Sequence, residues 1–107
     1  MAEVIWSKKA NRKRIAFLTY GEKEFGRKAA VKMNERIEGY IQTLAGNPYM
    51  GIIEPLLYGR RKTYHSLVVH KLVKLIYSVD EATNSIHITD VWDTRREPRT
   101  QAGNLTK

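Results

Sequence analysis

The run Val91-Trp92-Asp93-Thr94-Arg95-Arg96-Glu97-Pro98 gathers four charged side chains behind a tryptophan, at the end of an alternating apolar stretch. Cations fixed on a strand can grip a phosphate-bearing partner in a way that a flexible tail cannot. Two further basic clusters contain no acid: Lys8, Lys9, Arg12, Lys13 and Arg14 form one, and Arg60, Arg61, Lys62, Lys71 and Lys74 the other. Most of the acids lie between Glu22 and Glu38 or between Asp80 and Glu97. Nineteen basic against eleven acidic residues give a net charge of +8, a field that attracts nucleic acid, the ribosome or an acidic protein.

The same composition excludes other chemistry. Without cysteine there is neither a disulfide framework nor a thiolate metal site, which suits a cytoplasmic protein. The three histidines show no metal-ligand spacing, so neither a metal nor a small-molecule cofactor is expected. No apolar run approaches a membrane span, and Met1-Ala2-Glu3-Val4 lacks the regions of a signal peptide. With 107 residues the chain makes one domain, expected over 1–98. A polar tail over 99–107 should follow, frayed from Thr100.

The elements that position these groups follow from spacing. Glu3 to Trp6 reads as a strand and Ser7 as the N-cap of a helix from about Lys8 to Tyr20, stopped by Gly21. Ala10, Ile15, Phe17 and Leu18 should face inward. Phe25, Ala29, Met33, Ile37, Tyr40, Ile41 and Leu44 form one stripe of a second helix, which Gly46-Asn47-Pro48 ends. The link between the helices is so short that they must fold back as an antiparallel hairpin. Residues 49–61, punctuated by Gly51, Pro55 and Gly59, read as a loop. Strands are expected at Lys62–Val69, Leu72–Val79 and Ser85–Trp92, the last two joined by the turn residues Asp80 to Asn84.

Strand parity then separates two faces. Val73, Leu75, Tyr77, Val79, Ile86, Ile88 and Trp92 should meet the helices. Leu72, Lys74, Ile76, Ser78, His87, Thr89 and Val91 should form an open face, joined by Asp93 and Arg95 if the alternation continues. The fold class is thus α+β, with a helical hairpin on one face of a small, mainly antiparallel sheet and a partly apolar, cationic platform on the other. The plain alternative at the strand end is that Asp93 and Arg95 simply pair with each other.

This order of elements, with Val73-Lys74-Leu75-Ile76-Tyr77-Ser78-Val79-Asp80 and Trp92-Asp93-Thr94-Arg95, resembles the RelE/ParE family of bacterial type II toxins. The resemblance covers nearly the whole chain. It implies a small toxin of a toxin–antitoxin system, also described as a plasmid stabilisation family, neutralised by a cognate antitoxin. RelE-like members cut messenger RNA on the ribosome without metal, the 2′-hydroxyl attacking the adjacent phosphorus. Such a site needs a proton acceptor, a proton donor and cations on the phosphorane oxygens. The resemblance places Lys74 and Arg95 as the cations, His65 as a base and Asp93 or His87 as a proton shuttle. It gives Arg60, Arg61, Lys62, Tyr64, Lys71 and Arg96 to the nucleic acid, and Leu67, Leu72 and Ile76 to an acidic, amphipathic antitoxin segment.

Some residues depart from that pattern. Lys74 stands where an arginine is usual, Leu67 stands where a lysine is usual, and no tyrosine or histidine follows Arg95 as terminal acid. Phe25-Gly26 with Ala29-Ala30 in the second helix resembles the ParE branch, whose members bind and block DNA gyrase. A ribosome-dependent endoribonuclease is therefore the first reading of the sequence, with ribosome and mRNA as partners. Gyrase inhibition is the alternative, and an inactive basic module of the same fold the third.

Overall fold

A computed structural model describes residues 1–96 and 98–103, with the backbone alone for 98–100. β1 (Glu3–Trp6) leads into α1 (Lys8–Phe25) and α2 (Arg27–Gly46). β2 (Ile52–Ile53), a 3-10 turn (Pro55–Leu57), β3 (His65–His70), β4 (Val73–Asp80), β5 (Ser85–Asp93) and α3 (Pro98–Gly103) follow. The five strands form one sheet in the order β1-β5-β4-β3-β2; β1 runs parallel to β5 and the other pairs are antiparallel. The α+β hairpin-on-sheet architecture expected from the sequence is the one observed.

Ser7 caps α1 as expected, its hydroxyl accepting the Ala10 amide at 2.9 Å. The helix does not stop at Gly21. It continues through that buried glycine, where a Cβ would lie 2.7 Å from the Met33 sulfur of α2. Glycine there permits close helix–helix approach. The break falls at Gly26, whose φ of +92° is strained for any residue with a side chain. Phe25 therefore ends α1 at 60% exposure instead of joining the α2 stripe, and Ile15 also turns outward. Met33, Ile37 and Leu44 are buried as expected.

The helices cover a core of Val69, Val73, Leu75, Tyr77, Ile86, Ile88 and neighbouring residues. The other sheet face is not an open platform. The loop expected over 49–61 contains β2 and the 3-10 turn, and Leu57 from that turn packs with Tyr64, Ile76, Trp92 and Ala102 in a second cluster. The tail expected to fray from Thr100 begins instead as α3. Gln101 accepts the Asp93 amide at 2.8 Å and donates to the Asp93 carbonyl at 3.0 Å, while Arg60 donates to the Ala102 carbonyl. Residues 104–107 of that tail, like Glu97, lie outside the described residues.

A single irregularity sets the facing of the last strand. Tyr77 pairs with Ile88 and Ile76 with Asp90, so Thr89 is an extra residue, a β-bulge in β5. Up to Ile88 the expected parity holds. Beyond it the faces exchange: Val91 lies opposite Leu75 in the main core, and Trp92 lies opposite Lys74 on the far side. The Ser7 hydroxyl donates to the Thr89 carbonyl, tying the start of α1 to the bulge.

Candidate functional site

The bulge redistributes the residues that the sequence groups together. Asp93 lies opposite Val73, out of step with Lys74 in the ladder, and at the strand end it borders both the α1 side and a recess that Lys74 lines. Arg95 follows it. Its guanidinium donates to both Asp93 carboxylate oxygens, at 3.1 and 3.0 Å, and to the Tyr20 hydroxyl of α1 at 3.2 Å. It also lies 5.1 Å from the centre of the Tyr20 ring. Hydrogen bonds from Arg95 hold the Asp93 carboxyl below its ordinary range, and the same contact raises the guanidinium further. The strand-end pairing, the plainer alternative, is thus present. A carboxylate so engaged is a weak proton acceptor.

Lys74 occupies the opposite face. Its ammonium lies 5.0 Å from the Trp92 ring centre and donates to Glu54 at 2.7 Å. Glu54 is only 2% exposed; it also accepts the Leu56 amide at 3.1 Å and is hydrogen-bonded to Ser66. Burial would raise its carboxyl, but the bonds from Lys74, Leu56 and Ser66 outweigh burial and leave it lowered. At neutral pH this is a carboxylate–ammonium pair. Sequence reading missed Glu54, because a lone acid before Pro55 in a loop looks like turn chemistry. Its only signal was its position as the sole acid between Glu38 and Asp80.

His65 is 7% exposed, stacked on Tyr77 at 5.3 Å and edge-on to Tyr49. With Nδ1 as donor it bonds the Gly51 carbonyl at 3.3 Å. It pairs across the ladder with Tyr77, a core residue of the helix side, and so does not share a face with Lys74. Tyr64, expected on nucleic acid, is buried in the second cluster at 4% exposure and cannot stack on a base. Arg61, Lys62, Lys71 and Arg96 are exposed, whereas Arg60 is half-buried against α3. Of the residues assigned to the antitoxin, Ile76 is fully buried, and Leu67 and Leu72 are partly buried against the main core.

The first basic cluster is likewise partly spoken for. Lys13 reaches the fully buried Asp90 at 2.7 Å, with Lys9 at 3.5 Å, and the Trp92 indole donates to the same carboxylate. Arg14 pairs with Glu38. Beside these, a groove of about 290 Å³ runs between α1 and the end of β5, lined by the apolar Phe17, Leu72 and Val91 and by Lys13, Arg95, Arg96 and Asp93. Among the described residues no three metal-ligating side chains come together. No described helix is long and apolar enough to cross a membrane.

A family model described as the ParE toxin of the type II toxin–antitoxin system parDE matches residues 4–98. Among solved structures, the chain is similar to one from the chromosomal ParDE system of P. aeruginosa, at 17% identity and a TM-score of 0.68. That match covers 87% of this chain and 96% of the other. It is also similar to the YoeB dimer from Staphylococcus aureus, at 21% identity and a TM-score of 0.56, covering 83% and 92%. At these identities the structural likeness concerns the fold. A search of curated proteins gave no match.

Proposed function

The chain belongs to the ParE toxin family of type II toxin–antitoxin systems, and we propose that it is a non-catalytic toxin that binds and blocks DNA gyrase. The observation that carries this reading is that the four candidate catalytic groups do not converge. Lys74 and His65 lie on opposite sheet faces, Arg95 turns to Tyr20 of α1, and Asp93 at the strand end is engaged by Arg95. In-line cleavage of RNA requires its acceptor, donor and cations around a single phosphorus. Here each group already serves a partner within the fold, whereas a binding toxin needs only a shaped and charged surface. This departs from the endonuclease that the strand motifs alone favour.

The partner proposed within the module is its antitoxin. The groove between α1 and β5, lined by apolar side chains with three cations to one acid, suits an acidic amphipathic segment that orders on binding.

Two reactions with the purified protein separate the readings. A plasmid-supercoiling reaction with gyrase should stall as the toxin is added, and mRNA in a cell-free translation reaction should stay intact. Ribosome-dependent cuts that disappear in the Lys74→Ala/Arg95→Ala double variant would overturn the proposal and restore the endonuclease.

A further inference from the structure

Six large apolar side chains stand exposed along one short segment at the edge of the sheet: Tyr49, Met50, Ile52, Ile53, Leu56 and Tyr58. Tyr58 is 71% and Ile52 66% exposed, and such grouping differs from the single apolar residues of an ordinary surface. Ile52 and Ile53 form β2, the edge strand, and point to opposite sides of the sheet. Tyr49 lies with Ile53 on the hairpin side, where both border His65. The chain carries no lysine or arginine between Arg36 and Arg60, its longest stretch without a cation. Glu54, the acid of this segment, is buried. We propose that this edge docks a second copy of the chain, the two β2 strands meeting antiparallel about a two-fold axis.

Area and charge both favour a copy. At these exposures the six side chains leave about 600 Å² open, so a reciprocal joint buries about 1,200 Å², the lower end for a stable interface. Two chains of +8 repel each other, and they approach at least cost where each is neutral. The flank beside Tyr49 and Ile53 carries both signs, Lys62 with Asp80 and Glu81, and so adds no net repulsion of its own. The strand also limits the joint. The Glu54 amide bonds the Tyr64 carbonyl, so Ile52 and Glu54 turn their backbone groups to β3 and Ile53 turns its own outward. Paired about the axis, the two Ile53 residues exchange two hydrogen bonds. Pro55 has no amide to carry the ladder further. Because one patch serves both copies, the assembly closes as a dimer. The groove between α1 and β5 shares none of these six residues, and the inference stands apart from the gyrase reading.

Sedimentation equilibrium of the purified chain tests it. With a dissociation constant on the order of 10 µM, twice the chain mass should dominate at about 100 µM. Raising the salt from about 0.05 M to about 0.5 M should strengthen the dimer, since it screens the repulsion and leaves apolar contact intact. Ile52→Lys and Tyr58→Lys each set a cation against the partner's apolar edge and should weaken association at least about tenfold. Ile15→Lys, at an exposed apolar position of α1, makes the same change in charge and should leave the dimer as it is. All three positions are exposed, and thermal melts establish that the variants are folded. A chain that stays monomeric at about 100 µM overturns the proposal. So does a dimer that survives Ile52→Lys and Tyr58→Lys together, or one that Ile15→Lys removes equally. A monomer whose Ile52→Lys variant no longer blocks gyrase gives the edge to that enzyme, which overturns it as well. The mass of the unaltered chain is read without gyrase or antitoxin, so its outcome and that of the gyrase reaction are separately legible.

Discussion

Glu54 and Lys74 illustrate how asymmetric an ion pair can be. The glutamate side chain is 3% exposed and the lysine side chain 24%. Removing the lysine strands a charge in the interior, whereas removing the glutamate frees an ammonium that can turn to water. Lys74→Met should therefore cost about 2–4 kcal/mol of stability, and Glu54→Gln only about 1 kcal/mol, both read from urea unfolding at neutral pH. Equal costs would mean that the pair is solvated in both halves. At this scale the sequence was uneven. Adjacent partners such as Asp93 and Arg95 were legible because they sit two residues apart. Glu54 and Lys74, twenty apart and joined only by folding, were not, and neither were the bonds from Lys9 and Lys13 to Asp90.

Helix boundaries were legible in kind but not in place. Gly21 and Gly26 both interrupt the apolar pattern, and nothing local distinguishes a glycine that ends a helix from one that admits a neighbour. Packing of Met33 on Gly21 and the left-handed backbone of Gly26 decide the matter. Two glycines of the hairpin should respond in opposite directions. Gly26→Ala should lose about 1–2 kcal/mol through strain at positive φ. Gly39→Ala, within α2 and with open space around its Cα, should gain about 0.5–1 kcal/mol. Thermal denaturation of the two variants shows whether Gly26 is the hinge: a neutral Gly26→Ala would place it elsewhere. Strands were read well up to the bulge and wrongly beyond it, because parity arguments carry a phase that one extra residue resets.

At the scale of the molecule, the sheet is covered on both faces, by the hairpin on one and by the 3-10 turn and α3 on the other. The fold class was legible because helical and strand periodicities differ so plainly; the second cover was not, because Leu57 and Ala102 sit in short segments with no periodicity to read. Three titrating groups share one direction in the folded state. His70 is lowered from 6.5 by burial and by Arg36 and Lys71, Glu54 is lowered from 4.5 and Asp93 from 3.8. In each case the unfolded chain takes up its proton first as pH falls, so acid favours unfolding. Stability should decline in two stages, below about pH 6.5 and again below about pH 4.5. Urea midpoints measured across that range test this, and a flat profile down to pH 5 would remove the His70 contribution. Thr89, finally, gives the molecule something like a reading frame. Deleting that one residue would remove no charged group, yet it would shift every later side chain of β5 to the opposite surface. Two descendants of one such gene could then differ in trade, one holding its charged groups together and the other keeping them apart, through a single lost codon.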